Sequence, residues 1–469
     1  MAEHVHDCVV VGAGPAGSAA ALQMARDGLD VVMLERGTRP GEKNVMSGVL
    51  YANKLCELIP DYRERAPLQR CITGGYAMSI LGEEEVLLLP RLIDYGVADR
   101  PNAPYTVFRS LFDAWFAQEA ENVGAELFTE TTVDDLLWED GRVAGVRTRR
   151  GDLRARVVIG ADGVNSTVAD KSGLRNLMAP SEVMLIIREI LDLSAEIIEE
   201  RFTLRPGEGM LSLFVAPVTG PTGKQGIYHT ELYTNLDSLS LTTGARLDVI
   251  QEVGVPPYDV IAARERHPYI TRLIQGATLR EYQAHLLPWG GVADLGCVYG
   301  DGVLLAGDAG RFNTPDGVGS WPAMASGTAA ARAVKLACES GDSSRATLAI
   351  YHDLLDEEGL VDVNNEAQEE SRHEKRFADQ TLQQPGHLLH LAERYLDDWS
   401  SKEEEYPYSL LGDAYHRLVK PQVPWYIRWP LNLAVWADTL GWRRKRASLC
   451  RKEARQETSV SSLVRPRKE

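Results

Sequence analysis

The chain opens with a pattern that few folds accommodate: an apolar run, a glycine-rich turn, a helix of small residues and a second apolar run. Residues 4–11 form the first run, and the turn Gly12-Ala13-Gly14-Pro15-Ala16-Gly17 follows at once. Residues 30–35 form the second run, which is apolar between its two terminal acids. This order and spacing predict a βαβ unit with parallel strands that are buried on both faces.

The three glycines of the turn have different expected roles. Gly12 permits the tight passage from strand to helix, Gly14 lets a pyrophosphate approach backbone N–H groups, and Gly17 allows the helix to pack closely on the sheet. Glu35 ends the second strand, where a carboxylate accepts hydrogen bonds from a ribose diol. The unit therefore predicts dinucleotide binding.

Two later turns identify the dinucleotide. Ala161-Asp162-Gly163 follows an apolar strand, and Gly307-Asp308-Ala309 follows another. Asp316-Gly317-Val318-Gly319 then opens a helix predicted at about 320–339, whose N-terminus offers N–H groups and a positive dipole end to a flavin pyrimidine. Three separated segments that converge on one long cofactor indicate FAD.

The wider pattern predicts an α/β chain with an inserted domain. Residues 1–180 and 285–345 are assigned to a Rossmann-like FAD-binding domain, and residues 181–284 to a β-rich quinone or substrate domain. Residues 346–469 are expected to be a helical C-terminal region. Local predictions include one strand at 126–133 and one helix at 262–275.

Charge and cysteine spacing exclude several function classes. The net charge of −17 disfavours nucleic acid as a partner. The six cysteines are dispersed without a C-x-x-C pair, so we expect no disulfide framework and no metal ligands in this chain, and any iron–sulfur cluster on a partner. No acid–base or nucleophilic group is evident; His285 and Tyr282 are interpreted as structural, and catalytic residues remain unassigned.

The last part of the chain suggests attachment to a membrane or to a partner. Four of the nine tryptophans fall within residues 425–442, and residues 443–469 contain ten basic and three acidic residues. Indole rings favour the headgroup region and basic residues favour anionic lipids. Residues 1–7 lack the features of a secretory signal, so we expect a peripheral protein on the cytoplasmic face of the cell membrane. Docking of the tail to the protein body or to a partner subunit is the alternative.

The three turn motifs, in this order, resemble the glutathione-reductase-type FAD fold of aromatic hydroxylases, geranylgeranyl reductases and electron-transfer-flavoprotein:quinone oxidoreductases. Four stretches narrow the resemblance to the FixC (EtfC) branch of the quinone oxidoreductases. They are GEKNVMSGVLY at 41–51, IEERF at 198–202, GEG at 207–209 and YTNLDSLSL at 233–241.

This resemblance implies one FAD that takes electrons from reduced electron transfer flavoprotein, with FixA/FixB-like subunits, and passes them to a membrane quinone. It also implies a small ferredoxin-like iron–sulfur subunit, FixX or EtfX. Lys43, Asn44 and Gly48 would lie near the isoalloxazine, and Arg109, at a helix start, would reach a phosphate bidentately. The residues implied to hold FAD are Gly12, Gly14, Pro15, Ala16, Gly17, Glu35, Arg36, Arg109, Val133, Ala161, Asp162, Gly163, Gly307, Asp308, Gly317, Val318 and Gly319.

Three other functions stay open at this point. The first is a geranylgeranyl-reductase-like flavoenzyme that saturates prenyl double bonds. The second is an aromatic monooxygenase, and the third is an assembly scaffold whose FAD is structural.

Overall fold

The structure is a computed structural model, and it describes residues 4–42, 47–81, 86–88, 91, 93, 96–292, 294–314 and 317–369. Lys43, Asn44 and the predicted tail at 425–469 lie outside the described residues. Most of the predicted C-terminal region also lies outside the described residues. Its described part is helical at Ile350–Glu357 and at 360–369, after a short helix that begins at Arg345. Within the described part of the chain, no helix combines the length and the apolarity needed to cross a bilayer.

The strands in the described residues have from two to eleven residues. They are β1 Val5–Val11, β2 Val31–Leu34, β3 Ser47–Tyr51, β4 Leu68–Cys71, β5 Tyr76–Leu81, β6 Val86–Leu88, β7 Pro104–Phe108, β8 Glu126–Phe128, β9 Val133–Glu139, β10 Arg142–Thr148, β11 Gly151–Gly160, β12 Val183–Asp192, β13 Leu211–Val215, β14 Pro217–Thr219, β15 Gln225–Ile227, β16 His229–Thr234, β17 Ser238–Arg246, β18 Thr278–Pro288, β19 Tyr299–Gly300 and β20 Val303–Leu305.

The helices include two long ones that pack against each other, α1 and α10. They are α1 Pro15–Arg26, α2 Asn53–Leu58, α3 Tyr62–Arg65, α4 Arg109–Glu121, α5 Thr167–Lys171, α6 Ala195–Phe202, α7 Leu247–Val253, α8 Pro257–Arg266, α9 Pro268–Ile274, α10 Ser320–Ser340, α11 Arg345–Leu348 and α12 Ile350–Glu357.

The first sheet is the predicted nucleotide-binding sheet. Its strand order is β19-β20-β11-β1-β2-β8, with β10 and β9 continuing from β11. Strands β20, β11, β1, β2 and β8 are parallel, as the βαβ interpretation requires. Helix α1 connects β1 to β2 and is almost wholly buried, because its small residues allow α10 to approach; a Cβ at Gly327 would lie 2.1 Å from the carbonyl oxygen of Ala16. The α/β fold class is thus confirmed.

The second sheet has seven strands in the order β18-β12-β17-β16-β13-β5-β6. All neighbours are antiparallel except β13 and β5. One face packs against α6, α8 and α9 through an apolar core that includes Ile187, Leu241 and Phe214. The sheet draws strands from 76–88 and runs to Pro288, so it extends beyond the predicted 181–284 domain.

Two local predictions were wrong. The predicted helix at 262–275 is two helices, because His267 precedes Pro268 and adopts an extended backbone (φ −62°, ψ 128°) that ends α8. The predicted strand at 126–133 is interrupted after Phe128, and Glu130 has a left-handed φ of 50° in the connecting turn. Chain direction therefore changes before β9 begins at Val133.

Candidate cofactor site

A cavity of about 440 Å³ lies at the carboxyl ends of the parallel strands β1, β2 and β11. This is the position where open α/β sheets bind their ligands, and its volume is in the range of small-molecule sites. The three turn motifs, far apart in sequence, meet there. The predicted FAD residues that line the cavity are Gly12, Gly14, Glu35, Arg36, Val133, Ala161, Asp162, Gly163 and Asp308.

The glycine turn has the geometry expected of a phosphate cradle. Gly12 has a φ of +99°, and a Cβ there would lie 2.4 Å from the carbonyl oxygen of Ala161. A Cβ at Gly17 would lie 1.9 Å from the carbonyl oxygen of Gly12, so this glycine permits close packing of α1 on β1. At Gly14 no atom lies within 4 Å of the Cβ position, and the residue lines the cavity. The space beside the start of α1 is therefore open to a pyrophosphate.

Glu35 is held in place by the backbone of two loops. Its Oε2 accepts the N–H of Ala13 at 3.2 Å, and its Oε1 accepts the N–H of Gly37 at 2.7 Å. The side chain is buried but lines the cavity. Because each carboxylate oxygen has a second lone pair, Glu35 can still accept hydrogen bonds from ribose hydroxyls.

The two later acids have different surroundings. Asp162 accepts the hydroxyl of Ser166 and, at 3.2 Å, the N–H of Val168, so its carboxylate also holds the turn into α5; burial raises its pKa. Burial raises the pKa of Asp308 to about 6, against the opposing effect of Arg109 and Arg175. Of the two, Asp308 has the carboxylate better placed to meet cofactor hydroxyls.

Nine predicted residues do not line the cavity: Pro15, Ala16, Gly17, Gly48, Arg109, Gly307, Gly317, Val318 and Gly319. A Cβ at Gly307 would lie 2.9 Å from the Cβ of Ala16, so the first and third motifs are packed together. A Cβ at Gly319 would lie 3.5 Å from Oδ1 of Asp308, which places the start of α10 beside that acid. Gly307 and Gly319 thus help to position the third motif at the site.

Arg109 is at the start of α4, as predicted, but its guanidinium already has a bidentate partner. Its Nε and Nη2 donate to the two carboxylate oxygens of Asp113 at 2.7 and 2.9 Å. Asp113 is fully buried and lines the cavity. The edge of Arg109 that was expected to bind a phosphate therefore binds Asp113.

Sequence reasoning missed the wall that the second sheet contributes. Leu185 from β12, and Ala284, His285 and Leu286 from β18, line the cavity. His285 has its pKa lowered to about 4, by burial first and then by Arg109, Arg188 and Arg36, so its imidazole is neutral at pH 7. Tyr282, considered alongside His285, is half exposed instead. The signal in the sequence was a histidine within an extended segment, and it indicates a cavity residue only when that segment is identified as strand β18.

The most selective stretches of the resemblance converge on a buried arginine outside the cavity. Arg70 is 1% exposed and pairs with Glu199 at 2.9 Å. It also donates to the carbonyl oxygens of Asn235, Glu208 and Leu236 at 2.6, 3.0 and 3.0 Å. The stretches at 198–202, 207–209 and 233–241 thus stabilise the second sheet and its loops.

One mixed group of possible metal ligands occurs in the described residues. His4 and His6 both contact Asp30, at 2.7 and 3.1 Å, near the start of β1 and at the opposite end of that strand from Gly12. The three side chains form a hydrogen-bonded cluster near the surface. It takes no part in the cavity.

Comparison with known proteins identifies the family. Residues 6–233 match the FAD binding domain family. Protein FixC of Bradyrhizobium diazoefficiens is 39% identical over 367 residues, which cover 77% of this chain and 83% of the relative. The chain belongs to the FixC family. Protein FixC of Escherichia coli K12 is 37% identical over 369 residues, covering 77% of this chain and 84% of the relative.

Solved structures agree on the fold. A geranylgeranyl bacteriochlorophyll reductase-like protein from Thermoplasma acidophilum has a TM-score of 0.61 at 21% identity, over 79% of this chain and 87% of the other. PqsL, a probable FAD-dependent monooxygenase from Pseudomonas aeruginosa, has a TM-score of 0.53 at 17% identity, over 80% and 100%. The FixC resemblance and the FAD prediction are confirmed: this is an FAD-dependent oxidoreductase of the FixC family.

Proposed function

We propose that this chain carries electrons from reduced electron transfer flavoprotein to a membrane quinone through its FAD. The observation that carries the proposal is the wall opposite the nucleotide motifs, in a chain of the FixC family. Leu185, Ala284, His285 and Leu286 line that wall, and none of them carries a charge at pH 7. An uncharged acceptor such as a quinone can approach this wall, and electron transfer needs proximity rather than a nucleophile or a general base.

The proposal includes a partner for the iron–sulfur chemistry. The described cysteines are Cys8, Cys56, Cys71, Cys297 and Cys338, and none of them belongs to a group of possible metal ligands. In this proposal, as the family resemblance implies, a small ferredoxin-like subunit of the FixX or EtfX type holds a cluster, and FixA/FixB-like flavoprotein subunits deliver the electrons. Purification of the native complex under anaerobic conditions tests this part, because these subunits should accompany the chain.

Electron transfer itself is tested with the purified FAD-loaded protein under anaerobic conditions. Reduced electron transfer flavoprotein should bleach the flavin absorbance, and quinone in liposomes should restore it. A flavin that dithionite reduces but electron transfer flavoprotein does not would contradict the proposal. Saturation of geranylgeranyl chains under the same conditions would favour the prenyl reductase instead.

Membrane attachment through the C-terminal tail is the remaining part of the proposal. It is supported by the tryptophans at 425–442 and the basic residues at 443–469. Replacing Arg443, Arg444, Lys445 and Arg446 by glutamine should weaken binding to anionic liposomes, with less effect as salt increases. The matched control replaces four exposed arginines of the described surface, Arg147, Arg149, Arg150 and Arg156, by glutamine. Equal losses in the two variants would argue against the tail.

A further inference from the structure

The second sheet has one apolar face and one polar face. Residues alternate along β12, so Ile187 joins the apolar core under the helices while Arg188 projects from the opposite face. In that face, Gln283, Arg188, Thr242 and Glu231 are in register across four neighbouring strands. A row of polar side chains therefore crosses the sheet on the side away from α6, α8 and α9.

Arg188 is the charged centre of this row. Its side chain is 1% exposed, and Nη2 donates to Oε1 of Gln283, which fixes the guanidinium. Burial lowers the pKa of Arg188 to about 10, so the group remains a cation at pH 7. The titratable groups that face it come from three other elements: Arg109 of α4, Glu231 and Tyr233 of β16, and Glu281 and His285 of β18.

The charge of Arg188 reaches the cofactor cavity. Gln283 and His285 are two residues apart on β18, about 7 Å along the strand, and they share a face of the sheet. His285 lines the cavity, and its imidazole is close enough to Arg188 for the guanidinium to lower its pKa. Since His285 itself is neutral, Arg188 is the cation that the second sheet places beside it, in addition to Arg109 of α4 and Arg36.

We propose that Arg188 is an electrostatic positioning residue for the flavin. Two-electron reduction of FAD with uptake of one proton leaves one net negative charge on the ring system. A fixed cation in a low-dielectric wall favours that product more than the neutral oxidised ring, because a buried charge is weakly screened. Arg188 thus raises the midpoint potential of the bound FAD. This goes beyond the proposed function, since it holds for any electron donor or acceptor.

The experiment measures the midpoint potential of FAD in the purified holoprotein by anaerobic dithionite titration against a reference dye. In Arg188→Met the equilibrium constant for reduction should fall at least tenfold, which for a two-electron couple is about 30 mV. Arg264→Met is the matched control. Arg264 is a half-buried arginine on α8 whose pKa is also lowered by burial, and it donates to the carbonyl oxygen of Ala216. Its loss should leave the potential unchanged.

Arg188→Lys distinguishes an electrostatic role from a structural one through the pH dependence of the midpoint potential, which loss of a purely structural contact would not change. A buried ammonium loses its proton more readily than a guanidinium, so this variant should match the wild type near pH 6 and approach Arg188→Met near pH 9. If Arg188→Met does not retain FAD, this pH profile decides the question.

Three results would overturn the proposal: an unchanged potential in Arg188→Met, an equal change in Arg264→Met, or a difference between Arg188→Lys and wild type that does not vary with pH. The titration uses neither electron transfer flavoprotein nor quinone, so its outcome is independent of the proposed function.

Discussion

Replacing Gly14 by alanine should separate cofactor binding from folding. Gly14 has φ −78° and ψ −173°, an extended conformation that alanine adopts without strain. No atom lies within 4 Å of the position of the new Cβ, which would project into the open space of the cavity. The apoprotein should therefore fold as well as wild type, and gain about 0.4–1 kcal/mol because alanine restricts the unfolded chain.

The cost should appear in FAD affinity. The N–H groups of Ala16 and Gly17, in the first turn of α1, have no intrahelical acceptor and are the donors expected to meet the pyrophosphate. A methyl group in the approach path would keep the phosphate from both donors. Hydrogen bonds to charged groups contribute about 1.5–3 kcal/mol each, so two lost bonds cost about 3 kcal/mol or more. The dissociation constant should rise roughly hundredfold.

The assay pairs thermal unfolding of the apoprotein with FAD titration followed by flavin fluorescence. Gly17→Ala is the comparison, because its Cβ would lie 1.9 Å from the carbonyl oxygen of Gly12 and α1 would have to move away from β1. That variant should lose stability by about 1–3 kcal/mol. If Gly14→Ala binds FAD as tightly as wild type, the pyrophosphate does not lie at this helix N-terminus.

Two further predictions concern the second sheet and the acid beside α10. Arg70→Met should lower the free energy of unfolding, measured in denaturant titrations, by about 4 kcal/mol, because one buried and two part-buried carbonyl groups lose a charged donor. In the same denaturant titrations Arg280→Met, which removes surface ion pairs with Asp192 and Asp237, should change it by less than about 1 kcal/mol. The pKa of Asp308 is raised from 3.8 to about 6 in the folded apoprotein. Between these two pH values the folded state binds more protons than the unfolded state, so the free energy of unfolding should fall as pH rises through this range, by about 3 kcal/mol at most. Asp308→Asn should flatten this dependence in unfolding curves at pH 4 to 7, and an unchanged slope would contradict the assignment.

The nucleotide-binding unit could be predicted because its signals are local. The glycines at 12, 14 and 17 and the apolar runs around them lie within one βαβ unit, and each observed element follows from periodicity or turn chemistry. The contribution of β5 to the second sheet could not be predicted in this way. That strand pairs in parallel with β13, more than a hundred residues later, and no local pattern encodes a non-local pairing.

Strand β18 escaped prediction for a different reason. It is an edge strand whose first five residues are exposed, so alternation of apolar and polar residues is weak there. Because this strand was not predicted, His285 could not be assigned to a face of the sheet, and its place in the cavity wall could not be predicted either. The split of the predicted 262–275 helix, by contrast, was readable, since Pro268 disfavours a helical residue before it.

The residues that reveal the family and those that line the cofactor cavity are largely different. Arg70 needs four acceptors in a buried position, and Glu199, Glu208, Asn235 and Leu236 supply them from three distant stretches. Glu199 is the one side-chain partner, whereas the other three acceptors are backbone carbonyls, so the network requires Arg70 and Glu199 by identity and constrains the other two stretches through the backbone conformation that holds their carbonyls in place. A cavity wall imposes a weaker pattern, since apolar side chains of similar volume can replace one another. Recognition of the family therefore rests on the framework of the second sheet, whereas its redox properties depend on residues such as Arg188 and His285, which only the strand register brings to the cofactor.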